Sequence, residues 1–189
     1  MNPPTQRNDL IFYDWEFQED GITIEPISLG MTTLDGREMY LVNQDFDWSQ
    51  ATDWLKENVL PKLYAAMPQH DLILKVPKSE LRDYILHFLT VEAEATNQKL
   101  KLVGMASAYD FVCTAQRFGL LINKPRVLPW WNCDLRQWVD DLGNPRLPEK
   151  QVQHNALLDA RWVRDSYQWL SANYEHPAWT PRLRLPLKD

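Results

Sequence analysis

No stretch of this sequence approaches the ~20 consecutive apolar residues that a bilayer-spanning helix needs, so no membrane helix is expected. The opening run Met-Asn-Pro-Pro-Thr-Gln-Arg-Asn has no apolar signal region, and a cytoplasmic protein is the expectation. Cysteine is scarce. Cys113 and Cys133 are the only two, without Cys-x-x-Cys or ligand-like spacing, which argues against a disulfide scaffold and a structural zinc. Basic charge is short in the first third: residues 1–60 hold three basic and twelve acidic side chains. Residues 61–123 hold seven and six, residues 124–189 ten and eight, for a net charge of −6. That balance excludes a general nucleic-acid coat protein, although an acidic chain binds a polyanion where bound cations are the main local charges. Internal repeats, low-complexity tracts and interior linkers are also missing. A length of 189 residues with 44% hydrophobic content then fits one domain over 1–189. Its core is expected over about 10–173, with 174–189 as an extended, proline-punctuated tail.

What is present begins with aromatic and β-branched runs. Residues 10–17, LIFYDWEF, read as a strand that puts Asp14 and Glu16 on one face and Tyr13, Trp15 and Phe17 on the other. A turn at Glu19-Asp20-Gly21 leads to a second strand. Asp35-Gly36 signals a hairpin into a third, Arg37–Asn43. The period then changes. Trp54, Leu55, Val59 and Leu60 recur at helical spacing, with Asp47 or Ser49 as N-cap and Pro61 as terminator. Residues 64–77 show no clear period. A helix over 78–90, a short buried strand at Leu100–Ala106 and a helix from Ala108 to about Phe118 follow, closed by Gly119. A short helix is expected from Asp134 to Leu142, and a long one capped by Asn155 and running to about Asn173. Strands first, then strand and helix in alternation, make an α/β domain with a mixed sheet.

The chemistry lies in five residues. Asp14 and Glu16 stand in an apolar run, Asp110 opens a helix, and His154 precedes Asp159 by five positions at another helix start. Burying carboxylates is costly without compensation, and divalent cations supply it. Hydrolysis of a phosphodiester needs charge stabilisation, an activated water and help for the leaving oxygen, all of which two metals about 3.5–4 Å apart provide. Hard cations take oxygen ligands. Two carboxylates on one strand and further ones from two helix starts give such a set, and an imidazole titrating near neutrality suits a general base. Taken singly, each residue has an ordinary alternative. Asp110 reads equally as a first-turn helix acid, His154 as a surface or capping histidine, and Asp159 as an exposed acid paired with Arg161 or Arg164.

Together, in this order and on these elements, they resemble the DEDDh family of two-metal 3′–5′ exonucleases. FYDWEFQEDGITIEPISLGMTTLDGREMYLVN, VLPKL, MASAYDFVCTAQRFG and HNALLDAR are similar, in the same order, to the polyadenylate-specific exoribonuclease AS family, relatives of ribonuclease T. The resemblance covers most of residues 10–170. It implies a ribonuclease-H-like fold, here a mixed five-stranded sheet flanked by helices. It also implies Asp14, Glu16, Asp110 and Asp159 as ligands of two Mg²⁺ ions (or Mn²⁺), with His154 as general base. Single-stranded RNA 3′ ends, poly(A) among them, would be the substrate and a homodimer the working form. Trp15 stands where relatives usually carry a small residue. Strand alternation turns it away from the acids, so a repacked core is expected there.

Further residues are candidates for substrate contact. Phe17 is placed to stack on a terminal base, Tyr109 to support it, and Glu25 and Ser28 to line the nucleotide pocket. Trp130 and Trp131 suit a platform or dimer contact, and Arg117, Arg161 and Arg164 suit phosphates. The alternatives to an exoribonuclease are a DNA-directed exonuclease with the same site, a catalytically silent nucleic-acid-binding module, and a nucleotide-binding structural subunit.

Overall fold

The computed structural model describes residues 9–64 and 73–177. Strands β1 (Leu10–Glu19), β2 (Ile24–Thr33) and β3 (Glu38–Asn43) form the expected antiparallel meander. Both hairpins turn through a glycine in the left-handed region, Gly21 at φ +83° and Gly36 at φ +86°, where a side chain would be strained. β4 (Ile73–Val76) runs parallel to β3, β5 (Lys101–Gly104) parallel to β1, and β6 (Cys133–Asp134) parallel to β5. The order across the sheet is β4-β3-β2-β1-β5-β6. The fold is α/β and consistent with the ribonuclease-H-like expectation, but the sheet has six strands rather than five. Four residues of β4 emerge from the aperiodic stretch 64–77, and two residues of β6 are too few to show any alternation.

Five helices flank the sheet: α1 (Asp53–Asn58), α2 (Leu81–Thr96), α3 (Ala108–Gln116), α4 (Leu135–Asp141) and α5 (Ala156–Asn173). The expected caps hold for α4 and α5. Asp134 accepts from the Arg136 N–H, and Asn155 accepts from the Leu158 N–H at 3.1 Å. α1 differs. Its cap is Thr52, which accepts from the Leu55 N–H, while Asp47 and Ser49 close a separate side-chain turn on each other. Pro61 sits in a single 3-10 turn, Leu60–Lys62, directly after α1. α2 runs beyond residue 90 because Glu92, polar and yet buried, is paired with Arg37 (Nε to Oε1, 2.7 Å), so the apolar stripe is broken without the helix ending. None of the described helices is long and apolar enough to cross a membrane.

Strand alternation divides the core. Ile11, Tyr13, Trp15, Leu29, Met31 and Leu41 pack under α2 and α3. Leu10, Phe12 and Val103 pack against Leu135, Trp138, Val163, Tyr167 and Leu170 of α4 and α5, each large side chain contributing ~1.5–3 kcal/mol by burial. Past α5 the chain doubles back, and the His176 ring lies 4.8 Å from that of Trp138. The expected tail therefore packs on the body as far as Pro177; residues 178–189 lie outside the described residues.

Gly30 sets how close α5 comes to the sheet. It lies opposite Asp14 on β1 and Tyr40 on β3. A Cβ there would fall inside contact distance of the Ala156 carbonyl and the Leu157 Cα, both backbone. Only a residue without a side chain lets the first turn of α5 rest on β2, with Ala156 and Leu157 packed on Tyr40 and Val42. Gly30→Ala is expected to cost about 2–3 kcal/mol by overpacking, measured by urea unfolding. A variant as stable as the parent would show that the contact yields.

Candidate active site

Three backbone devices deliver the five predicted residues. The first is β1 itself, whose alternation sends Asp14 and Glu16 to the α5 side. A bulge follows at once. Glu16 faces Ser28 and Phe17 faces Pro26, so Ile27 of β2 is the extra residue with no partner across the strand.

The second device is the start of α5. His154 adopts φ +65°, a left-handed conformation uncommon outside glycine. Its N–H donates to Asp159 Oδ2 at 3.0 Å, so the carboxylate is oriented by the loop that carries the histidine. Asn155 does more than cap the helix. It is fully buried, and its Nδ2 donates to the Lys62 carbonyl at 2.8 Å, tying α5 to the 3-10 turn behind α1. From α1, Trp54 meets the His154 ring edge-on at 4.9 Å between centroids.

The third device holds Asp110. β5 pairs with β1 only as far as Phe12, which leaves the Trp15 N–H facing no strand on that side. Asp110 Oδ1 accepts it at 2.7 Å. The Trp15 indole donates to Thr114 Oγ1 at 2.8 Å, one turn further along α3. Trp15 thus faces away from the acids, as expected, and besides filling the core it fastens α3 to β1. The turn before α3 is held by Asp134, which accepts from the Ala106 and Ser107 N–H groups at 2.8 and 2.9 Å.

Asp14, Glu16 and Asp159 come together. Each offers a carboxylate oxygen within 4.8 Å of the other two. Asp110 stands just outside that trio, yet its charge acts on Asp14. Burial first, and then repulsion from Asp110, Asp159 and Glu16, holds the Asp14 carboxyl well above its ordinary range. Burial and the Asp159 charge push Glu16 up to about 8. Burial raises Asp110 to about 6 against the opposing Trp15 hydrogen bond. Among the described residues neither Asp14 nor Glu16 has an ion-pair partner; only Asp159 has one, Lys150, whose Nζ is 2.9 Å from Oδ1 without the alignment of a hydrogen bond.

Such a set fits a hard divalent cation. All donors are carboxylates, Glu16 and Asp159 are buried and Asp14 is partly so, and their charge is largely uncompensated. Two ligands of one Mg²⁺ at ~2.1 Å are at most ~4.2 Å apart, so the trio has at most about half an ångström to close. The His154 imidazole is partly buried, and burial first, then Lys62 and Lys150, lower its pKa against the pull of Asp159. The shift favours the neutral imidazole, the form that accepts a proton.

The remaining candidates scatter. Phe17 lies on the opposite sheet face, stacked on the half-exposed Tyr109 ring (centroids 6.0 Å, planes 10° apart). Glu25 is taken up by an ion pair with Lys78. Ser28 is wholly buried beside Tyr40. Arg161 is engaged by Glu38 (Nε to Oε1, 2.7 Å) and Arg164 lies between Glu38 and Asp165. The pairing of Asp159 with either arginine is thereby overturned: its partner is Lys150. Lys62, Lys150 and Trp54 were not singled out in the sequence. A lone lysine in a proline-rich loop carries no pattern, and Trp54 reads as part of the apolar period of α1.

An α/β sheet with a carboxylate trio built from the middle of β1 and the first turn of α5 defines a protein able to hold a metal ion there. No family model matches the chain. Two proteins named 3′–5′ exoribonuclease, Rv2179c of Mycobacterium tuberculosis (strain ATCC 25618 / H37Rv) and MT2234.1 of strain CDC 1551 / Oshkosh, are each 38% identical to it over 151 residues. The alignment spans 79% of this chain and 86% of each relative. The chain belongs to this family of 3′–5′ exoribonucleases.

The raised carboxylates fix a pH dependence. A group that holds its proton more tightly when folded stabilises the fold below its unfolded pKa, and that contribution is lost as pH rises through the folded pKa. With Asp110 near 6 and Glu16 near 8, Tm in EDTA is expected to fall as pH rises from about 5 to 8. Mn²⁺ should restore it most at the upper end. A Tm in EDTA that is flat across this range would contradict the site's electrostatics.

Proposed function

We propose that this chain is a metal-dependent 3′–5′ exoribonuclease that releases nucleoside 5′-monophosphates from the 3′ end of single-stranded RNA. The convergence of Asp14, Glu16 and Asp159 within 4.8 Å, in a member of this family, carries the reading. Asp14, Glu16, Asp159 and Asp110 are the residues that hold two divalent cations, Mg²⁺ or in its place Mn²⁺. Bound there, the cations supply charge stabilisation for the phosphate and a more acidic water.

The rest is the work of the chain's own groups. Neutral His154 accepts the proton of the attacking water. The water oxygen bonds to phosphorus, the ester bond to the preceding 3′ oxygen breaks, that oxygen leaves as an alkoxide and takes a proton from solvent, and the His154 imidazolium returns its proton to solvent. The edge-on Trp54 ring and the left-handed backbone restrict where the imidazole points, which is the positional control that proton transfer requires. The half-exposed Tyr109 ring, next to Asp110 on α3 and backed by Phe17, offers an aromatic face for a terminal base.

The five residues sit within one fold, which supports a single exonuclease domain. The family resemblance adds a homodimer. Leu120, Ile122 and Trp131, each at least 70% exposed, are apolar surface in keeping with a partner copy.

In Mg²⁺, 5′-labelled single-stranded RNA should shorten one nucleotide at a time, and not in EDTA. His154→Ala should lower kcat about 10²–10⁴-fold. Matching DNA lanes decide the sugar preference. No shortening of RNA in either Mg²⁺ or Mn²⁺ would overturn the proposal.

A further inference from the structure

Lys150 stands in the loop leading to α5, outside every role assigned so far. Its Nζ lies 2.9 Å from Asp159 Oδ1, with the side chain about one-quarter exposed and the carboxylate nearly sealed. The ammonium also acts on Asp14 and Glu16, against the repulsion within the cluster. It is thus a cation that partly offsets Asp14, Glu16 and Asp159. Its tether is short. The Pro148 carbonyl, two residues earlier, accepts from the Trp162 indole of α5 at 2.9 Å. A second partner is at hand, because the Trp162 ring centroid is 5.1 Å from the same Nζ.

A monovalent ammonium on an Asp159 oxygen and a divalent cation ligated by that carboxylate compete for the same charge. We propose that Lys150 is a built-in counter-cation that occupies Asp159 in the metal-free protein, lowers its affinity for divalent metal, and is displaced toward Trp162 when metal binds. The inference rests on the metal-site reading above and adds a device to it. The ion pair keeps the carboxylates in place between metal-binding events, and it weakens each such event. Lys62 makes the contrast. It acts on Glu16 and His154 but has no ion pair with Asp159.

The test is calorimetric titration of the full chain with Mn²⁺ alone, without RNA, at fixed ionic strength and pH. Lys150→Met is expected to bind Mn²⁺ about tenfold more tightly than the parent, within the usual range for coupled sites. Lys150→Arg, which keeps the charge, should stay near the parent, and Lys62→Met should gain about twofold or less. Unchanged or weaker binding by a folded Lys150→Met protein would overturn the proposal. So would an equal gain in Lys62→Met, since the effect would then be a general field and not an ion pair on Asp159. If the parent and every variant fail to bind Mn²⁺, the metal-site reading itself falls and this inference with it.

Discussion

The contact between Gly30 and the first turn of α5 is what the site depends on. Asp14 lies across the ladder from Gly30, and Asp159 lies one turn into the helix that rests there. A side chain at position 30 would lift Ala156 and Leu157, and with them the turn that carries Asp159 toward β1. Buried Asn155 secures the same turn from the other side through the Lys62 carbonyl. Helix, sheet and 3-10 turn are thereby locked within hydrogen-bond tolerances, and the carboxylates inherit their spacing from backbone rather than from flexible side chains.

Electrostatics opposes this arrangement. Burial raises Asp14, Glu16 and Asp110 toward neutrality, and repulsion within the cluster adds to this at Asp14 and Glu16. The fold tolerates that because each acid is held by something other than the cluster. Asp14 and Glu16 are fixed by strand geometry, Asp110 by the Trp15 N–H, and Asp159 by the His154 N–H and Lys150. A scaffold that fixes like charges side by side is pre-organised for a cation. The cost falls on the metal-free state and is relieved on binding.

Much of this was legible in the sequence because it followed local rules. Alternation in LIFYDWEF placed the two acids on one face, and the caps Asp134 and Asn155 were readable as side-chain oxygens ahead of apolar periods. Asp-Gly marked the second hairpin. Other features were not legible for equally physical reasons. β4 and β6 are parallel edge elements of four and two residues, whose existence depends on partners far along the chain. Glu92 hides the length of α2 because a buried ion pair looks like solvent exposure in a sequence. The second role of Trp15, a hydrogen bond across 99 residues to Thr114, is invisible to any local pattern. Lys150 was missed for the same reason, and Gly30 read as one more strand residue.

The central claim is that four carboxylates form one metal site. The most direct test is to count Mn²⁺ ions bound per chain by equilibrium dialysis at pH 8, for the parent and for Asp159→Asn. The account predicts two ions per parent chain and a loss of at least one in the variant. Stoichiometric binding that is indifferent to Asp159, or no binding at all in the parent, would contradict it.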